Sequence, residues 1–259
     1  MALTWLQADL ALVQRLADAA RDAIAPWFRQ PLDVVQKADL SPVTAADRAA
    51  EQAMRRILER DRPRDGILGE EFGHQPSASG RTWVLDPIDG TRAFIAGRPI
   101  YGTLIGLIEG DRPILGVIDA GAAGERWVGV TVGEPLTTLN GRPVRVRACD
   151  SLAQARAAST SPLLYSAPGH AAFGRVGRRV TDMLFGGDCH NYGLLAAGHL
   201  DLVVEEMLQV HDWAALVPVI EGAGGIMTDW RGQRLLPGAE GHVVAAGDAR
   251  VHAEVLTLL

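Results

Sequence analysis

Four apolar segments, TWVLDP, GTLIGLIEG, PILGVIDA and ERWVGVTV, follow one another between residues 82 and 132 and constrain the whole chain. Divided by Gly, Asp and Pro turns, they read as strands, and strands this apolar need other elements to cover them. Upstream, Leu10, Val13, Leu16, Ala17, Ala20 and Ile24 recur at three- and four-residue steps. They mark an amphipathic helix over residues 6–27, broken by Pro31. VVQKADLSPVTAAD reads as an extended piece, a loop and a second helix over 45–60 capped near Thr44. ILGE follows as a short buried strand, and residues 73–80 as a loop.

Apolar periodicity weakens over 133–150, the best candidate for a seam between two halves of a single domain spanning 1–259. Beyond it come a helix over 168–181, MLFGGD, a helix over 190–197, DLVVEE, a helix over 212–221, GIMTDW, HVVAAGD and a terminal helix. Mixed strands and helices in this order point to a layered α/β or α+β fold.

Composition narrows the class. The chain has 259 residues, 47% hydrophobic and 22% charged, with a formal net charge of -6. That is an ordinary globular balance with ample core. No apolar run reaches membrane-spanning length, and the acidic start lacks a signal peptide's basic region. The acidity disfavours nucleic acid or anionic lipid as the main partner. Cys149 and Cys189 are the only cysteines, too few for a disulfide framework, so a cytoplasmic location is expected. All but one of the 25 basic residues are arginines, the exception being Lys37.

The chemistry lies in acidic clusters at strand ends and helix starts: Asp47 in VTAAD, Glu70 and Glu71 in ILGEEFG, Asp86 and Asp89 in WVLDPIDGT, and Asp212 in VHDWAAL. Pro87 pins the backbone after Asp86, and the three-residue step returns Asp89 to the same side. Gly90 and Thr91 then offer backbone N–H groups of the kind that bind phosphate. Converging carboxylates would repel one another and any anionic substrate unless hard divalent cations joined them, which points to Mg2+. Without a Cys/His cluster at metal spacing, zinc is disfavoured. Taken singly, each acid is most often a cap or a solvated turn, and Glu71 reads equally as a solvent-facing neighbour of Glu70 or as a ligand. The glycines of EGAGG follow a helix rather than a strand, so they read as a helix stop. His211 reads as a packing residue.

GEEFG, WVLDPIDGTRAF and HDWAALVPVIEGAGGIMTDWRG, in this order, resemble the three signature segments of the inositol monophosphatase superfamily, and VTAAD resembles a fourth. The resemblance implies an αβαβα layered sandwich and Mg2+-dependent hydrolysis of a small phosphate monoester, with two or three ions bound. It places Glu70, Asp86, Asp89, Asp212 and the Ile88 carbonyl on metal. Gly90 and Thr91 would bind phosphate, and Asp47 and Thr91, with Glu70, would activate the water. A homodimer is implied by the resemblance alone.

Downstream, GGDC, YGLLAAGHLDLV and ALVPVIEGAGG are most similar to the histidinol-phosphate phosphatase branch. There Asp188 and Glu205 would meet the cationic leaving group, and Ile88, Asp89 and Asp212 would also border the substrate. Asp188 reads equally as the N-cap of the helix that follows. His190 and His211 stand where an aromatic residue is expected. An inositol phosphate, a sugar bisphosphate or a nucleotide 3'-phosphate remains an alternative substrate. A non-catalytic protein that contacts RNA or RNA polymerase is an alternative of another class, opposed by the intact acid set.

Overall fold

The computed structural model describes residues 2–31, 35–36, 42–238 and 241–259. Lys37 and part of the loop before Thr44 lie outside them. Helix α1 (Ala2–Ile24) runs into a 3-10 turn, β1 (Val35–Gln36) pairs with β2 (Pro42–Val43), and α2 (Ala45–Asp61) follows. Next come β3 (Gly66–Gly69), β4 (Gly73–Gln75), β5 (Arg81–Asp89), the short helix α3 (Thr91–Ile95), β6 (Gly102–Glu109), β7 (Arg112–Ala120), β8 (Glu125–Val130), β9 (Leu136–Leu139) and β10 (Arg142–Val144). The remainder comprises β11 (Arg156–Ser159), α4 (Ala167–Gly177), β12 (Asp182–Phe185), α5 (Cys189–Ala196), β13 (Leu202–Glu205), α6 (Val210–Trp213), α7 (Leu216–Gly222), β14 (Ile226–Thr228), β15 (Val243–Ala246) and α8 (Ala249–Leu256).

Two large sheets result. The first has eight strands in the order β10-β9-β8-β7-β6-β5-β3-β4, antiparallel except where β3 runs parallel to β5. The second has five, β12-β11-β13-β15-β14, with β11 parallel to both neighbours. Strand alternation divides the core into layers. Trp83 and Leu85 join α1 and α2 on one face of the first sheet, while Val84 points to the other. That second face packs on α5, α6 and α7, and the same cluster takes in Val203 and Ala245 of the second sheet. Leu202 and Val204 point away from it, onto α4 and α8. The stacking is α-β-α-β-α, as the resemblance implied.

Helix α7 lies almost on the backbone of the first sheet. A Cβ at Gly116 would fall 2.0 Å from the Ala215 carbonyl oxygen, and one at Gly129 would fall 2.3 Å from that of Pro218. Gly116→Ala is therefore expected to destabilise the fold by about 3 kcal/mol, a fall of about 6–12 °C in Tm. A calorimetric change below about 2 °C would show that the helix can move off the sheet.

Several elements differ from the sequence expectations. The expected helix over 212–221 is two, α6 and α7, because Pro218 lacks the N–H that a continuous helix would direct at the Ala214 carbonyl. Helix α4 stops at Gly177 rather than residue 181, with Gly174 and Gly177 weakening its last turn. The loop expected over 73–80 opens with β4, and the weakly periodic 133–150 stretch carries β9 and β10. Strand β11 gave no signal, since RAAS holds only two small apolar residues. The EGAGG glycines do end a helix, α7, with Gly224 at φ 91°.

Candidate active site

The site starts from an irregularity in β5. Asp86 pairs with Leu104 and Asp89 with Gly102, so three steps on one strand oppose two on the other. A regular strand would send Asp86 and Asp89 to opposite faces, and the extra residue of this bulge reverses the alternation. Leu85 and Ile88 both enter the α1/α2 core, leaving the two aspartates on the other side. Pro87 sits within the bulge, where a missing N–H costs no ladder bond, and its carbonyl accepts the Thr103 hydroxyl at 2.8 Å.

Three carboxylates meet on that side: Asp86, Asp89 and Asp212 each place an oxygen within 4.8 Å of the others. Asp212 arrives on α6, where its Oδ2 accepts the Gln209 amide at 2.5 Å and fixes the start of the helix. Glu70 follows β3, its amide donates to the Leu85 carbonyl at 3.1 Å, and its carboxyl lies near enough to Asp86 to raise that group's pKa. Burial pushes the Asp86 carboxyl well up, and the charges of Glu70, Asp89 and Asp212 push it further. Asp89 is pushed up to about 7 by burial and then by Asp212, against the lowering effect of Cys189. The buried Oδ1 of Asp86 has no hydrogen-bond partner.

Asp47 and Thr91 flank this cluster. Asp47 is the third residue of α2, and its Oδ2 accepts both the amide and the hydroxyl of Thr44, at 2.8 and 2.6 Å. Burial raises its pKa, the Thr44 bonds oppose the rise, and nearby Glu70 adds to it. The Thr91 hydroxyl donates to the Ile88 carbonyl at 3.1 Å. Gly90 is left-handed at φ 80°, and a Cβ there would fall 2.9 Å from Asp188 Oδ2. Both constraints demand glycine.

Asp188 occupies the N-cap position of α5, yet its side chain makes no capping bond. The Cys189 amide instead donates to Asp89 Oδ2 at 2.6 Å, so an acid of the first sheet caps the helix. Asp188 is pushed up to about 7 by burial and Asp89, with Arg98 pulling the other way. It lines a cleft of about 500 Å³ with Arg92, Arg98, Thr160, Ser161 and Leu163. Glu205, at the end of β13, is buried beyond this wall. Its Oε1 accepts the Thr160 amide and hydroxyl at 2.7 and 2.8 Å, and burial pushes its pKa up to about 8. His211 stands beside Asp212, with Nε2 3.6 Å from Oδ1.

Residues 4–259 match the model of the inositol monophosphatase family. The chain belongs to that family. An inositol monophosphatase from Zymomonas mobilis, of known structure, superposes with a TM-score of 0.89 at 52% identity, covering 97% of both chains. The histidinol-phosphatase of Mycobacterium tuberculosis is 39% identical over 97% of each chain. The chloroplastic bifunctional phosphatase IMPL2 of Arabidopsis thaliana is 45% identical over 99% of this chain and 76% of its own length.

As a member of the inositol monophosphatase family the chain is a phosphoric monoester hydrolase, of a family whose enzymes depend on metal ions. The residues present fit such an ion. The orphaned Asp86 oxygen, the three converging carboxylates and the all-oxygen donor set suit a hard divalent cation, which would relieve their repulsion. No described helix is long and apolar enough to cross a membrane.

Sequence reasoning missed three residues at this site. Arg98 shares the cleft with Asp188 and lowers its pKa, and Thr160 holds Glu205. Neither lies in a recognisable motif. Glu51, behind the Glu70 loop, could have been found from its position one helical turn after Asp47.

Proposed function

We propose that this phosphatase hydrolyses L-histidinol phosphate to L-histidinol and phosphate with Mg2+. The observation that carries the reading is Asp188. Its carboxyl is mostly buried, makes no capping bond, and lies against Gly90 at the mouth of a cleft large enough for a leaving group. A carboxyl so placed gains most from a cationic ligand such as an ammonium or imidazolium, and a polyol hydroxyl would gain less. Histidinol-phosphatases at 37–39% identity over nearly the whole chain support the same choice.

In this reading Glu70, Asp86, Asp89, Asp212 and the Ile88 carbonyl hold the metal. When bound, Mg2+ supplies charge neutralisation and an acidified water. The Gly90 and Thr91 amides, at the first turn of α3, hold the phosphate oxygens. Because the Thr91 hydroxyl spends its proton on the Ile88 carbonyl, its lone pairs face outward and accept from the attacking water. Asp47, with one oxygen fixed by Thr44 and a raised proton affinity, takes the water's proton. Asp188 receives the leaving group's positive charge, and Glu205 backs it through the Thr160 segment.

The test is the relative kcat/KM for L-histidinol phosphate, inositol 1-phosphate, fructose 1,6-bisphosphate and 3'-phosphoadenosine 5'-phosphate. L-Histidinol phosphate should be favoured by about 100-fold or more, the worth of two charge-assisted hydrogen bonds. Asp188→Asn should erase most of that preference while sparing turnover of inositol 1-phosphate. Equal or reversed rates in the unmodified enzyme would defeat the assignment.

A further inference from the structure

Helix α2 delivers a second carboxylate one turn beyond Asp47. Glu51 is fully buried, and it lies directly behind the loop that carries Glu70. Its Oε2 accepts the Glu71 amide at 2.7 Å, and its Oε1 accepts the Phe72 amide at 3.2 Å. Arg55, one further turn along α2, donates Nε to Oε1 at 2.7 Å and Nη2 to the Gly73 carbonyl at 2.5 Å. The approach is so close that a Cβ at Gly69 would fall 1.8 Å from Oε1, so the loop must begin with glycine. On its other side the loop is tied by the Glu70 amide to the Leu85 carbonyl, next to Asp86.

A carboxylate withdrawn from water is costly unless its oxygens are filled and its charge is met, and here both conditions hold. An aliphatic side chain could fill the same volume more cheaply. Only an acceptor on both oxygens can grip two successive amides and so fix where the loop stands.

We propose that Glu51 is a positioning residue, a clamp through which α2 holds Glu70 against Asp86 and in register with Asp47. The proposal rests on the reading of Glu70 as a holder of the metal. It explains why the acids on either side of the water, Asp47 and Glu70, answer to one rigid helix.

The test is Mg2+ binding to the purified, folded protein by titration calorimetry, with circular dichroism to confirm folding. Glu51→Gln keeps the volume but turns one acceptor into a donor facing an amide. It should weaken Mg2+ binding by about ten-fold, in the range seen for groups that orient metal ligands. In a Glu70→Gln background the same change should add less than about two-fold, because the clamp acts through Glu70. Should Glu51→Gln not fold, Arg55→Lys carries the test. It keeps the charge but cannot bond Glu51 and Gly73 together, and it should show a smaller loss with the same dependence on Glu70. Full loss from the clamp variant even without Glu70, or no loss with Glu70 present, would overturn the proposal and leave the reading of Glu70 intact. Unchanged binding in Glu70→Gln alone would remove that reading and the proposal with it.

Discussion

Asp86→Asn is expected to lower turnover of every phosphate ester by about a thousand-fold or more, the cost of losing a central acid in a site that works by charge. The same change should stabilise the metal-free protein. Asp86 is buried, and the charges of Glu70, Asp89 and Asp212 all push its pKa up. Replacing it by a neutral amide removes the cost of protonating or charging that carboxyl in the folded state and supplies two donors to the surrounding carboxylates. Scanning calorimetry should therefore show a higher Tm without metal and little further rise on adding Mg2+. Activity within ten-fold of the unmodified enzyme would refute the catalytic part of this expectation. A lower metal-free Tm would refute the electrostatic part.

The second large effect is a reversal in the pH dependence of stability. In the metal-free protein Asp89 titrates at about 7 and Glu205 at about 8, and Asp86 also lies well above its ordinary value. In the unfolded chain such groups titrate near pH 4, so between about pH 4 and 8 the folded protein holds the extra protons. The stability they contribute is complete below the unfolded values and is lost as pH rises through the folded ones. On the proposed reading, Mg2+ would displace the protons on Asp86 and Asp89, while the one on Glu205 would stay. The affinity for Mg2+ should rise with pH, by about ten-fold per unit for each proton released. Metal-free Tm should thus fall from pH 5 to 8 while the increment due to Mg2+ grows. Calorimetry in two buffers of different ionisation enthalpy would count the protons, and none released near pH 7 would contradict the picture.

The acids were legible in the sequence because they cluster where strands end, and because mutual repulsion makes such a set purposeless without a cation. DPIDGT shows both the reach and the limit of that argument. The three-residue step correctly put Asp86 and Asp89 on one side, but the means is a bulge that appears only when β5 is laid against β6. Asp188 was ambiguous for a similar reason. Its cap position is local, whereas the bond that actually caps α5 comes from Asp89, about a hundred residues away. Glu51 was not singled out in the sequence, since its spacing from Asp47 puts it on the same helix face but does not show a loop folding down onto it. Strand β11 failed on chemistry: its alanines are buried on both faces, but they carry too little apolar surface to make a pattern. The long, strongly apolar strands of the first sheet and helices α1 and α2 were read to within a few residues. Their own side chains, rather than distant partners, decide them.

During synthesis the first sheet is complete at Val144, but the helices that cover its second face begin only at Cys189. On a nascent chain Val84, Leu104, Ile118 and Trp127 would stay open to water over that interval. Asp86 and Asp89 share the open face and would remain hydrated, so the growing chain meets only part of the crowding of charge found in the finished molecule. That crowding is completed when α5 and α6 close over the sheet, bringing Asp212 with them. An ion that needs Asp212 as well as Asp86 and Asp89 would then find its full set of carboxylates only after that closure.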